Sequence, residues 1–368
     1  MAEAVQAKNL RTMVRLRGVR KDYGTVAALQ DTDLDVPTGE FLTLLGPSGS
    51  GKTTLLNMIA GMASPSQGEI IINGRDVTRL PAEKRGIGMV FQNYALMPHM
   101  TVFENIAFPL QIRKVPKAEI RRRVTDVLEL VRLPHVADRK PKELSGGQQQ
   151  RISIARCIVY KPDLILMDEP LGALDKKLRE QMQLEIKRIH SELGITMLYV
   201  THDQEEALNM SDRIMLMNAG RVEQLGTPHA LYFEPRTQFA ADFIGASTLL
   251  DAEIVDAGAT PLLRLADGTN CRLRLDSNVS AGTAGKLLLR PEALRLVQDG
   301  NVPAGHNVLH GHVANTLVTG ATSKHFVTVE GGAVIAVQEL TNQNTARFDP
   351  SQRVCIVWPA DVGRFLES

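Results

Sequence analysis

The sequence predicts a parallel, doubly wound α/β domain followed by a smaller all-β domain, and three observations carry that prediction. Short apolar runs stop at glycine, a carboxylate or Thr-His (FLTLLG 41–46, LILMD 164–168, TMLYV 196–200), and between them lie segments of helical character. GPSGSGKT at 46–53 sits where a strand hands over to a helix, as a phosphate-binding loop requires. Past about residue 244 helical periodicity gives way to short β-type runs (LLRLA, NCRLRL, KLLLR, HFVTV, AVIAV, RVCIVW) separated by Gly, Asp and Asn turns.

Residues 14–45 read as a strand-rich start, with alternation in VRLRGVRKDY and a buried strand at FLTLL feeding the loop. KTTLLNMIAGM then predicts a helix ending near Gly61. SPSQGEIIINGRDVT predicts a turn, a strand and a tight Asn73-Gly74 turn. From 98 the chain changes character. PHMTVFENIAFPL precedes AEIRRRVTDVLELVRL, where Ile120, Val124, Val127, Leu128 and Val131 fall at helical spacing. The region of about 98–160 is therefore expected to be a helical insertion between the phosphate loop and the next buried strand, and its basic RRR at 121–123 is expected to be a solvated face. In 176–193 the stripe Leu178, Met182, Ile186, Ile189, Leu193 predicts one long helix capped by Gly194. The expected domains are 1–240 and 245–368.

At 368 residues, 43% apolar and 23% charged, the chain has material for two domain cores. A net charge of +1 gives no electrostatic argument for nucleic acid, and no nucleic-acid partner is expected. Cys157, Cys271 and Cys355 have neither metal-ligand spacing nor an even count, so they are expected to be buried thiols in a reducing compartment. The N-terminal stretch has no apolar core of a secretory signal, and no uncharged run is long enough to span a bilayer.

The chemistry concentrates in three motifs. In the first, Gly46, Pro47, Ser48, Gly49, Ser50 and Gly51 can turn backbone N–H groups inward around phosphates. Lys52 supplies a point charge, Thr53 a hydroxyl for Mg²⁺, and Thr54 continues the helix start. In LILMDEP, Asp168 ends a buried strand where it can hold Mg²⁺, and Glu169 can polarise an attacking water. In LSGGQQQR at 144–151, Ser145, Gly146, Gly147 and Gln148 open a second helix with an anion-binding start. Composition alone yields LSGGQ in about one chain of this length in two thousand, so its presence beside a phosphate loop is a signal rather than chance. One phosphate loop has no use for a second anion site on the same nucleotide. A dimer does, because each copy can close the other's site.

These motifs resemble the nucleotide-binding subunit of an ATP-binding cassette (ABC) transporter, and the resemblance covers about 1–240. It implies a P-loop NTPase cassette with a helical subdomain, binding ATP and Mg²⁺. By resemblance Tyr23 stacks on adenine, Gln92 touches Mg²⁺ or water and senses the membrane subunit, Asp175 closes the loop LGALD, and His202 holds the γ-phosphate and water. Ser145 to Gln148 close on the partner's ATP. Each has a plainer reading too: Tyr23 as a strand-end aromatic, His202 as a structural histidine. Met89, Met97 and Met100 read as packing residues, although FQNYALMPHMTVFENI is similar to the groove that receives a permease coupling helix.

Chain length, ENIAFPL, RPE at 290–292 and the β-rich tail are similar to importer ATPases for maltose, glycerol phosphate, iron and polyamines, whose C-terminal domain is an OB-like barrel serving regulation and dimerisation. NYALMPHMTVFENIAFPLQIRK and ALYFEPRTQFAADFIG look most like the polyamine branch, with iron, sugar and glycerol-phosphate importers as alternatives. The resemblance implies a second copy of the chain, two membrane permeases and, indirectly, an extracytoplasmic solute-binding protein, with the chain peripheral on the cytoplasmic face of the inner membrane. A permease-free, ATP-switched interaction protein of the same superfamily is the alternative of another class; one cassette and no heptad run speak against it. Cys157, where such subunits usually carry alanine, and Met97 depart from the family pattern without touching the hydrolytic motifs.

Overall fold

The computed structural model describes residues 11–256, 258, 260–275, 279–299, 301–341 and 348–367. Residues 1–10, most of the stretch read as lacking a secretory signal, lie outside them. The chain divides into two compact units, Met1–Ala230 and Leu231–Ser368.

The first unit begins with β1 (Thr12–Tyr23), β2 (Val26–Pro37) and β3 (Phe41–Leu45), followed by α1 (Lys52–Ala60), β4 (Gln67–Ile72), β5 (Arg75–Asp76) and β6 (Gly88–Val90). Helices α2 (Val102–Ile112), α3 (Lys117–Leu130) and α4 (Gly146–Ile158) form the insertion. Then come β7 (Leu164–Asp168), α5 (Lys176–Leu193), β8 (Thr196–Thr201), α6 (Gln204–Met210), β9 (Arg213–Asn218), β10 (Arg221–Gly226) and α7 (Pro228–Phe233), within which the division falls. One sheet is antiparallel, in the order β2-β1-β4-β5. The other runs β10-β9-β3-β8-β7-β6, parallel from β9 to β6.

The parallel strands explain why their sequences are apolar without a polar face. Their two sides feed different cores. Ile165, Met167, Met197 and Tyr199 belong to a core shared with α2, α3, α4 and α5. Their neighbours Leu164, Leu166, Leu198 and Val200 join α1 and the antiparallel sheet. Each such side chain contributes roughly 2 kcal/mol on burial, more than the net ~1 kcal/mol of a ladder hydrogen bond. The core therefore fixes the register that brings Asp168 and Thr201 to the same edge.

Expected boundaries are met at Gly61 and Gly194, both left-handed helix caps. The predicted stripes differ in detail. In α5, Met182, Ile186 and Ile189 are buried, but Leu193 is 39% exposed because the last turn has run past the core. Glu185, three residues after Met182 and four before Ile189, shares their side of the helix; it is buried at 7% and paired with Arg188 at 2.7 Å. In α3, Ile120, Val124 and Leu128 are buried while Val127 is only partly covered.

The second unit starts with α8 (Gln238–Phe243) and continues as β11 (Thr248–Asp256), β12 (Leu262–Leu265), β13 (Asn270–Arg272), β14 (Ala284–Leu289), β15 (Arg295–Gln298), β16 (His306–Val318), β17 (Thr322–Val329), β18 (Val334–Leu340), β19 (Arg353–Pro359) and β20 (Arg364–Glu367). They make two five-stranded antiparallel sheets, β13-β12-β11-β14-β20 and β15-β19-β16-β17-β18. One core takes residues from both, with Trp358 fully buried in it.

Candidate nucleotide site

The site begins where β3 ends. Gly46, Gly49 and Gly51 have φ of 154°, 79° and 99°, in the region where a side chain is strained. A Cβ on Gly46 would lie 2.2 Å from the Met217 carbonyl oxygen, and one on Gly51 would lie 2.8 Å from that of Ala28. Backbone therefore packs on backbone, and the loop keeps its curvature. α1 starts at Lys52 with no side-chain cap, so its first N–H groups remain directed into the loop.

The Lys52 ammonium donates to the carbonyls of Gly46 and Pro47, both at 2.8 Å, and to Ser50 Oγ at 3.3 Å. Burial lowers its pKa, while the charges of Glu169 and Asp168 act the other way. Thr53 donates its hydroxyl to Asp168 Oδ1 at 3.3 Å. Burial raises the Asp168 pKa, and the adjacent Glu169 adds to the shift. A cation at this point would relieve that cost.

Glu169 follows β7 at φ 42°, an unusual conformation for a side-chain-bearing residue. Its N–H donates to the Val200 carbonyl at 3.0 Å, which locks it to the end of β8. Its Oε1 lies 3.3 Å from His202 Nδ1. The two residues expected to act on water are thus brought together by parallel pairing of strands 32 residues apart in sequence.

What holds His202 was not legible from the motifs. Its neighbour Thr201 and the buried Tyr199 both donate hydroxyls to Glu206 Oε2 at 2.7 Å. Arg179 from α5 donates to Asp203 at 3.0 Å, and Asp203 caps α6. Burial raises the Glu206 pKa, with the two hydroxyls holding it down. Only Asp203 carried a sequence signal, as an N-cap residue before two glutamates. Glu206→Ala is expected to lower unfolding free energy by about 3 kcal/mol, from two buried hydroxyls left without an acceptor. Glu206→Gln, which keeps an acceptor, should lose less than half as much. Chemical denaturation of both variants checks this, and equal losses would mean that the carboxylate's contacts do not matter.

Gln92 lies in an exposed turn close to Gly172; a Cβ there would sit 3.9 Å from Gln92 Nε2. The turn is tied to α4. Arg156 donates to the carbonyls of Ala95 and Tyr94 at 2.7 and 3.1 Å, and Ser153 donates to that of Tyr94 at 2.9 Å. A few residues on, the buried Asn105 side chain holds Met97 from both sides, accepting from its N–H at 2.8 Å and donating to its carbonyl at 3.1 Å. Arg156, Ser153 and Asn105 gave no sequence signal, since side chains reaching distant carbonyls have no spacing rule.

The second anion motif is a formed helix start. Ser145 Oγ accepts from Gln148 N at 3.4 Å, and Gln148 Oε1 accepts from Ser145 N at 2.9 Å, a reciprocal capping box. Ser145 itself is exposed. A Cβ on Gly147 would reach 2.7 Å from Leu178 Cδ1, so this glycine lets α5 approach. Asp175 caps α5 through a 3.0 Å bond from Leu178 N. Tyr23 is 56% exposed at the end of β1, with Lys21 Nζ 4.9 Å from its ring centre. A flat, exposed aromatic there can stack on a base.

A phosphate loop, a carboxylate pair at the end of the adjoining strand and a second capped helix start define a nucleotide-binding cassette of the P-loop class. The sequence profile of the ABC transporter family matches residues 29–172, and that of the TOBE domain matches 287–366. The spermidine/putrescine import ATP-binding protein PotA of Vibrio cholerae is 46% identical over 349 residues, 94% of this chain and 92% of that protein. The dimeric structure of MJ0796, a bacterial ABC transporter cassette, is 36% identical with a TM-score of 0.53, covering 59% of this chain and 99% of that one. A post-hydrolysis dimer of MJ0796 bound to ADP and Pi is 35% identical with a TM-score of 0.52, at the same coverage. The chain belongs to the ABC transporter family as an ATP-binding subunit. It binds ATP and is an ATPase coupled to transport. Among the described residues, no helix is long and apolar enough to cross a membrane.

Proposed function

We propose that this chain energises a polyamine importer, taking up spermidine and putrescine, as a homodimer that closes over two ATP molecules. The observation that carries the reading is the 46% identity to a spermidine/putrescine import ATP-binding protein across 94% of the chain, cassette and β domain alike. Within each site, Gly46 to Thr54 cradle the phosphates, with Lys52 on the terminal ones, and Tyr23 stacks on adenine. Ser145, Gly146, Gly147 and Gln148 of the other copy complete the site.

Thr53, Asp168 and Gln92 supply hard oxygen donors suited to Mg²⁺, and the Thr53–Asp168 contact at 3.3 Å supports that fit. Bound there, Mg²⁺ would offset phosphate charge. Glu169 takes the proton of the attacking water, and His202, held by the Thr201–Glu206 contact, positions that water and the γ-phosphate. Binding energy closes the dimer; hydrolysis and release reopen it. The turn around Gln92, anchored to the Ser145 helix through Arg156, offers a path from nucleotide to permease. In this reading the cassette is 1–240, two permeases dock on the 91–106 segment, and 245–368 serves dimerisation and regulation. The chain then sits peripherally on the cytoplasmic face of the inner membrane, served by an extracytoplasmic binding protein.

The test is purification of the tagged chain from native membranes in mild detergent, with partners identified and the binding protein titrated. Two permeases and a binding protein selective for spermidine or putrescine are expected. A binding protein selective for ferric ion, sugar or glycerol phosphate would overturn the polyamine assignment and leave the ATPase standing. Recovery with no membrane partner would overturn transport through permeases.

A further inference from the structure

The outer face of the second sheet brings together three donors from distant parts of the chain. On β19, Val354 and Ile356 belong to the core, so Cys355 between them faces the other way. On β16, Leu309 is in the core and His310 likewise faces outward; register places His310 directly opposite Cys355. Asp299 follows the end of β15, the strand on the other side of β19. Cys355 Sγ lies 3.3 Å from His310 Nδ1 and 3.5 Å from Asp299 Oδ1, and the last two atoms are 3.7 Å apart. Among the described residues this is the one cluster of three such donors within 4.8 Å of one another.

We propose that Asp299, His310 and Cys355 form a zinc-type metal site on the outer face of this sheet. The distances fit a shared metal as well as they fit hydrogen bonds among the three groups. Zinc bonds of 2.0–2.3 Å at tetrahedral angles put thiolate, imidazole and carboxylate donors about 3.3–3.6 Å apart, and the three observed separations fall within a few tenths of an ångström of that. The donor set is soft to borderline, which selects Zn²⁺ over Mg²⁺ or Ca²⁺. Arg353 supports it: its Nε holds Asp299 Oδ2 at 3.2 Å, which leaves Oδ1 turned to the thiol and imidazole. Three protein ligands leave a fourth position for water or an incoming donor, the pattern of an open site rather than a closed structural one.

The Cys355 thiol is buried, and burial together with Asp299 holds its pKa above the ordinary value. To ligate a metal the thiol gives up its proton. Binding forms one Zn–S bond, breaks the S–H bond and releases that proton to solvent, with no change of oxidation state.

The experiment uses the full-length chain, stripped with chelator, titrated with Co²⁺ and then Zn²⁺ without added Mg²⁺. One Co²⁺ per chain with thiolate-to-cobalt charge transfer and strong four-coordinate bands, displaced by Zn²⁺ with release of about one proton, is expected. Cys355→Ser should abolish the charge-transfer band. His310→Ala, at a half-exposed position, should weaken Zn²⁺ at least 100-fold, and Arg353→Ala by about 10-fold as a residue orienting a ligand. A charge-transfer band that survives Cys355→Ser would put the metal on another thiol and overturn the site. So would a weak six-coordinate Co²⁺ spectrum, or Zn²⁺ affinity unchanged in His310→Ala.

Discussion

Glu169→Gln is expected to lower ATP turnover by about 10²–10⁴-fold, the usual contribution of a positioned general base, while ATP still binds. The structure makes this substitution unusually clean. Glu169 sits at φ 42° with its N–H on the Val200 carbonyl, and its Oε1 touches His202 at 3.3 Å. An amide of the same shape keeps the backbone bond and a contact to the imidazole. It loses only the capacity to take a proton. Because Lys52, Thr53 and Asp168 are unaltered, nucleotide binding should be retained, and the ATP-bound dimer should accumulate since nothing reopens it. Size-exclusion chromatography with ATP and Mg²⁺ would show it as unhydrolysed ATP retained in the dimer peak. Wild-type turnover in this variant would remove Glu169 from the chemistry and leave the histidine contact as a structural one.

The cassette was readable because its constraints are local. A phosphate loop must turn on glycines, and a buried strand must be apolar over its whole length. The stop at Leu45, the carboxylate at Asp168 and the caps at Gly61 and Gly194 all follow from such rules. What failed to show were contacts between residues far apart in the chain. Tyr199 and Glu206 are paired by a strand and the helix after it, with Arg179 arriving from another helix. In sequence they are an ordinary strand aromatic and ordinary surface charges. Leu193 failed in the opposite direction: it matches the helical stripe, yet the core ends before it. Periodicity reports which face is apolar, not how far along the helix the core extends.

The β unit shows the same limit more sharply. Cys355 has neither metal-like spacing nor a cysteine partner, and from sequence it is a small buried residue. It lies 45 residues from His310 and 56 from Asp299, and only antiparallel pairing brings them within reach. Spacing rules detect ligands on one loop or helix. Donors on two paired strands and just past the end of a third become visible once the register is known.

The second large effect is expected at Ser145. The side chain completes a capping box with Gln148 and is exposed, so it has both a local role and a free face. The two roles separate by substitution. Ser145→Ala removes the cap and should lose about 1 kcal/mol of stability. Ser145→Arg loses the same cap and also places a bulky cation where the partner's phosphates must approach. Turnover in Ser145→Arg should fall at least about 100-fold, as when transition-state donors are lost, while ATP binding, set by the chain's own loop, stays near wild type. Geometry then gives a sharper test. In the proposed symmetric dimer each site pairs one copy's loop with the other copy's Ser145. Mixing Ser145→Arg chains with Lys52→Ala chains places both defects in one site of the mixed dimer and leaves the other site whole. Two preparations that are each inactive should therefore regain activity when combined. Wild-type turnover in the Ser145→Arg homodimer would show that this helix start does not face nucleotide, and that the site is complete within one chain.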